Sequence, residues 1–169
     1  MDKLKWLDRY SGQTTDELIA LRGEYRTDSL VLAFEQALDQ KVARVGQEGL
    51  TEEERVILAI EALEREVNNG GYDQLFINSS KEYASFFVAA LNHIGCTETA
   101  ELTLQALDIL GIEGQITVEA IDRVMEEENT ERDERLAECD TQYYETAGDL
   151  AGLLLEFIEN NRDKIVLED

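Results

Sequence analysis

The chain has 169 residues, of which 43% are hydrophobic and 31% charged, and these proportions favour one folded, soluble domain over residues 1–169. Its 38 Asp and Glu against 15 Lys and Arg give a net charge of −23, which argues against direct binding to nucleic acid or an anionic membrane. No stretch reaches the ~18 apolar residues of a membrane span, and the N-terminal segment lacks a signal-peptide core, so we expect a cytoplasmic protein.

Helix starts and stops are marked by capping residues and glycines, because the chain contains no proline. Thr14-x-x-Glu17 and Thr51-x-x-Glu54 have the capping-box spacing, and Asp28 is expected to cap the helix between them. The helix that follows Thr51 is predicted to stop at Asn68-Asn69-Gly70-Gly71.

The second half of the chain continues the same pattern. Ser79-x-x-Glu82 predicts another capping box, Thr97 is expected to cap the next helix, and Thr117 is expected to open a further one. Two further helices are predicted over residues 130–142 and 147–161. Aliphatic residues recur at helical spacing and no segment alternates with a period of two, so we predict a compact, single-domain all-α bundle of roughly eight or nine helices.

Residue types that support catalysis or bind metals are scarce. His93 is the only histidine, and its place at a predicted helix end is explained by the helix dipole. The sequence lacks the calcium-loop, P-loop and dinucleotide-binding patterns. We therefore predict no catalytic residue, no metal and no cofactor. Cys96 and Cys139 lack the spacing of a metal or redox motif and are expected to be free, buried thiols.

The most acidic segment is EEENTERDERLAECD, Glu126–Asp140, which holds eight acidic residues against two arginines. On one helix, glutamates that step by four, three and four residues share a face, with carboxylates ~4.5–6 Å apart along the axis. That series is Glu127, Glu131, Glu134 and Glu138. Such a face either binds a basic partner or is simply solvated, and the sequence leaves both open. The candidate partner-binding residues are Glu126, Glu127, Glu128, Glu131, Asp133, Glu134 and Glu138.

A polar segment, EVNNGGYDQLFINSS, runs from Glu66 to Ser80. Its helix stop and helix start, with a short buried turn between them, favour a scaffolding role. The alternative is a ligand site, in which polar side chains converge and glycines allow close backbone approach. The residues of this structural signature or ligand site are Asn68, Gly70, Gly71, Tyr72, Gln74, Phe76, Asn78 and Ser79.

The block EREVNNGGYDQLFINSSKEYASFFVAALNHIG, Glu64–Gly95, resembles the signature of a bacterial family first catalogued as a domain of unknown function. Weaker similarity continues to residue 110. The family contains an acidic DNA-mimic protein. The resemblance implies an α-helical fold, often dimeric, with no known enzymatic activity. For the mimic member it implies carboxylates that stand in for phosphates and occupy the DNA-binding face of a transcriptional regulator.

Three functions follow from these observations. The leading hypothesis is a non-catalytic acidic protein that binds a basic, DNA-binding protein in the manner of DNA, with a homodimer implied by the resemblance. One alternative is a ligand-binding protein or enzyme that uses the polar region 68–80. The other is an acidic protein without DNA-like geometry.

Overall fold

The computed structural model describes residues 3–168, and most of these residues are helical. The eight α-helices are α1 (Thr15–Ala20), α2 (Thr27–Val45), α3 (Glu52–Ile77), α4 (Phe87–His93), α5 (Thr97–Ile109), α6 (Val118–Met125), α7 (Thr130–Thr146) and α8 (Leu150–Asn160). Short 3₁₀ helices span Gln47–Gly49, Ser79–Tyr83 and Arg162–Lys164. The described residues form isolated β-bridges but no strand. The predicted all-α fold class is confirmed.

Two compact units make up the described chain. The first contains residues 3–61 and 151–168, and the second contains residues 62–150. In the second unit α5 packs against α4 and α7. This unit has 20 acidic and 5 basic residues, so it carries −15 of the chain's net charge of −23. No helix within residues 3–168 is long and apolar enough to cross a membrane.

The two capping boxes predicted at Thr14 and Thr51 are confirmed. The Thr14 hydroxyl accepts the Glu17 N–H at 3.2 Å, and the Glu17 carboxylate accepts the Thr14 N–H at 2.8 Å. Thr51 and Glu54 form the same reciprocal pair, with both hydrogen bonds at 3.1 Å. Each box satisfies backbone donors that the first turn of a helix leaves without partners.

The predicted caps at Asp28 and Thr97 are wrong. Helix α2 begins at Thr27, with Arg26 rather than Asp28 at its N-cap. The Asp28 carboxylate instead binds the Arg26 guanidinium at 2.6 Å, so it neutralises a neighbouring charge. Thr97 is the first residue of α5, and Cys96 occupies the N-cap without a side-chain hydrogen bond to the backbone.

In the first unit, a buried ion pair holds the C-terminal segment. Lys41 Nζ lies 2.9 Å from the Glu54 carboxylate, and these side chains are only 11% and 0% exposed. Lys41 also donates to the Val166 carbonyl at 2.8 Å, while Glu54 accepts the Val166 N–H at 2.8 Å. The Thr15 hydroxyl adds a hydrogen bond to the Ile165 carbonyl at 2.7 Å. Both charges are therefore compensated by each other and by the backbone of this segment.

Replacement of Lys41 by Met should lower the free energy of unfolding by about 3–5 kcal/mol, because it leaves the Glu54 carboxylate buried without its counter-ion. The matched control is Lys5→Met, which removes an ion pair to Glu24. In that pair the Lys5 side chain is 63% exposed and the Glu24 side chain 55% exposed. Solvent screens that pair, so its loss should be far smaller. Urea unfolding of both variants measures the difference, and equal losses would contradict the role given to the buried pair.

Candidate functional site

Helix α3 is interrupted at the predicted stop. Gly70 and Gly71 have non-helical backbone angles, and Gly71 has φ of +77°, which favours glycine. The predicted stop at residues 68–71 is thus confirmed as a kink between two helical segments, and no loop separates them. Helical structure resumes at Tyr72 and continues to Ile77.

Helix α7 satisfies the backbone groups that the break exposes. The Tyr144 hydroxyl donates to the Val67 carbonyl at 2.8 Å, and the Asp140 carboxylate accepts the Tyr72 N–H at 2.7 Å. Asp140 and Tyr144 are four residues apart and so share one face of α7. A Cβ atom on Gly71 would collide with the Asp140 carboxylate. Burial raises the pKa of Asp140, and the Tyr72 N–H offsets part of that rise.

The polar side chains of the segment converge on an internal carboxylate. Glu66 is buried, and it accepts hydrogen bonds from Gln74 at 2.8 Å, Asn78 at 3.0 Å and Ser80 at 3.0 Å. Burial alone would raise the pKa of Glu66, but these bonds, with the charge of Arg65, outweigh it and hold the pKa below its usual value. The donors that a ligand would need are therefore engaged within the protein.

Two further signature residues, Tyr72 and Phe76, pack in the protein interior. Tyr72 and Phe76 are fully buried, and the Tyr72 hydroxyl lies 2.8 Å from that of Thr103 on α5. Burial raises the pKa of Tyr72. Asn68, Gly70 and Ser79 are exposed. These contacts favour the scaffolding interpretation of residues 68–80.

The predicted capping box at Ser79 is wrong. Asn78 precedes a 3₁₀ helix over Ser79–Tyr83, and α4 begins only at Phe87. The hydrogen bonds from Asn78 and Ser80 to Glu66 hold this turn against α3. The local spacing could not reveal this turn, because its anchor lies on the preceding helix.

All seven predicted partner-binding acids are exposed. The buried side of α7 carries Arg132, Leu136, Cys139 and Tyr143. That register directs Glu131, Glu134 and Glu138, here called the α7 stripe, towards solvent. Asp133 is exposed as well, but it lies 2.8 Å from the Arg132 guanidinium and is partly neutralised. Both cysteines are buried and free, as predicted.

The prediction that Glu127 shares this helical face is wrong. Helix α6 ends at Met125 and α7 begins at Thr130, so Glu126, Glu127 and Glu128 lie in the connection. The Asn129 side chain caps α7. The Arg132 guanidinium donates to the carbonyls of Val124 at 2.6 Å and Glu127 at 3.0 Å, which closes the turn. These hydrogen bonds satisfy backbone carbonyls that would have partners within the helix if α6 and α7 were continuous.

Helix α5 adds acidic residues that the sequence analysis missed. Glu98, Glu101 and Asp108 are exposed on α5, which packs beside α7. A groove of about 280 Å³ lies between the two helices. It is lined by Gln105, Asp108 and Ile109 from α5 and by Arg135, Glu138, Cys139 and Gln142 from α7. The spacing of the polar positions along α5 could have indicated its exposed face, but not its neighbour.

One known protein family matches most of this chain. The model of the DMP19-like protein family matches residues 48–161, which is more than half of the chain. The chain belongs to the DMP19-like family. The match confirms the family resemblance found in the signature block and extends it through α8. No curated protein and no solved structure gave a significant match. Within residues 3–168, no group of three or more His, Cys, Asp and Glu is arranged to hold a metal ion.

Replacement of Glu66 by Gln should destabilise the protein by about 1–3 kcal/mol at neutral pH, because an amide cannot accept all three hydrogen bonds. Since the pKa of Glu66 is lowered in the folded state, its stabilisation is present above about pH 4.3 and is lost as pH falls through the folded value. The difference between wild type and variant should therefore shrink on acidification.

Urea unfolding at neutral and acidic pH measures that difference. Asp73 and Asp140, whose pKa values are raised, have the opposite pH dependence, but they are present in both proteins and cancel. Glu101→Gln, at an exposed position of α5, is the control and should show little change. A loss that stays constant with pH would contradict the assigned role of the Glu66 charge.

Proposed function

We propose that this member of the DMP19-like family is a non-catalytic interaction protein whose acidic surface binds a basic, DNA-binding protein in place of DNA. The α7 stripe is the observation that carries the proposal. Its three carboxylates, on Glu131, Glu134 and Glu138, are exposed along one side of a helix that is anchored on its opposite side. Family membership and the net charge of −15 in the second unit support the same function.

The spacing of the stripe suits a partner that recognises phosphates. Successive stripe positions rise by ~4.5 and ~6 Å along α7, and phosphates follow each other at ~3.4 Å along one DNA strand. Both spacings are shorter than the ~8 Å over which physiological salt screens charge, so neighbouring carboxylates reinforce one another's field. Lys and Arg side chains that bind phosphates could thus bind carboxylates of the stripe instead.

The partner would be a transcriptional regulator or another protein with a basic DNA-binding face. With such a partner the protein would act in the cytoplasm of a bacterial cell, and a homodimer would present two stripes. Glu126, Glu127, Glu128 and Asp133 would contribute to the field beside the stripe without belonging to its row. The ligand-site alternative is not favoured, because Gln74 and Asn78 bind Glu66.

The simultaneous replacement of Glu131, Glu134 and Glu138 by Gln should weaken partner binding by about tenfold or more, through loss of contacts to cationic side chains. The matched control replaces Glu48 and Glu156 by Gln and Asp163 by Asn, at three exposed positions of the first unit. Both variants raise the net charge by the same amount. Titration of each against a partner recovered at low salt measures the effect.

Two properties of the complex extend this test. Binding should weaken steeply between ~50 and ~200 mM salt, as phosphate contacts do. The protein should also release the partner from duplex DNA in a mobility-shift assay, and the stripe variant should do so poorly. Equal losses in the stripe and control variants would indicate bulk charge without DNA-like geometry. Absence of any salt-sensitive basic partner would overturn the proposed function.

A further inference from the structure

The groove between α5 and α7 differs from the open stripe beside it. It has a volume of about 280 Å³ and is open to solvent, and its polar lining side chains are exposed. Asp108 contributes one carboxylate from α5, and Glu138 contributes another from α7. Glu138 also ends the α7 stripe, so the groove opens beside the surface that is proposed to bind the partner.

The lining combines two kinds of contact. The side-chain amides of Gln105 and Gln142 supply neutral hydrogen-bonding groups beside the carboxylates, and Ile109 and the buried Cys139 supply apolar surface. A long cationic side chain matches this combination, because its methylene stem prefers apolar surface while its charged head needs acceptors. The planar guanidinium of arginine presents five donors and can bridge two carboxylates, whereas the lysine ammonium presents three donors at one point.

We propose that this groove receives an arginine side chain of the partner protein, with Asp108 and Glu138 holding the guanidinium and Ile109 contacting its stem. The inference rests on the proposed function and adds a specific anchor to it. The stripe attracts basic side chains of either type, and the groove selects arginine. Recognition of a DNA-binding face then depends on one specific side-chain contact as well as on the field of an acidic surface.

Arg135 sets the strength of this contact. Among the described lining residues it alone is cationic, and it lies one helical turn before Glu138 on α7. Its positive charge lines the same groove and repels an incoming arginine. Removal of this charge therefore favours the partner, whereas removal of either carboxylate disfavours it. Substitutions at one groove should thus change affinity in opposite directions.

The probes are hexa-arginine and hexalysine peptides, which carry equal charge, titrated against the intact protein at low salt. Wild type should bind hexa-arginine about tenfold more tightly, because charge-assisted bidentate hydrogen bonds are formed only by arginine. The Asp108→Asn, Glu138→Gln double variant should lose this preference. The control Glu98→Gln, Glu101→Gln has the same change in net charge at exposed positions of α5, and it should keep the preference.

The opposite effect is tested with Arg135→Gln, which should tighten hexa-arginine binding severalfold. Arg123→Gln is its control, because Arg123 is exposed on α6 and its loss changes the net charge equally. Side-chain amide signals of Gln105 and Gln142 in NMR spectra should shift with hexa-arginine and much less with hexalysine. Equal affinities for the two peptides, or unchanged amide signals on hexa-arginine binding, would overturn the groove assignment.

Failure of this inference is distinguishable from failure of the proposed function. A basic DNA-binding partner whose affinity drops in the stripe variant, but for which Asp108→Asn has no effect, would overturn the groove assignment alone. Arginine-selective peptide binding without any DNA-binding partner would support the groove and overturn the proposed function.

Discussion

The break in α3 at Gly71 is the constraint on which the second unit depends. Non-helical backbone angles at Gly70 and Gly71 end one helical segment at Asn69 and allow another to start at Tyr72. Each new end exposes backbone groups that must be satisfied. Asp140 and Tyr144 supply the partners, and this fixes the rotation of α7 about its own axis. The same rotation turns the α7 stripe towards solvent, so a backbone requirement determines where the charges lie.

A unit with 20 acidic and 5 basic residues must also limit the cost of its own charge. The buried acid at Glu66 keeps its charge because three donors surround it. The carboxylates of the α7 stripe face solvent instead, and like charges one turn apart cost a helix ~0.2–0.5 kcal/mol per pair. Burial of Leu136, Cys139 and Tyr143 on the opposite side outweighs that cost.

Sequence patterns predicted those features whose partners are close in the chain. The boxes at Thr14 and Thr51 need only residues three positions apart. The glycine pair at the α3 break indicates a helix interruption from the sequence alone. Features with distant partners were missed. Asp140 acts on Tyr72, 68 residues away, and therefore appeared only as one more acidic residue. Glu127 was assigned to a helix because local spacing cannot show that Arg132 folds back onto the preceding turn.

The buried residues of the signature and the proposed binding residues occupy different environments, so they carry different information about the protein. Glu66, Gly71 and Tyr72 are internal, so their contacts hold the fold of the second unit together. The carboxylates of the α7 stripe face solvent, and the fold does not require them. A protein could therefore have the whole signature and lack a DNA-like surface. The buried contacts account for the scaffold, whereas the proposed partner binding depends on the side chains that lie on the exposed faces of α5 and α7.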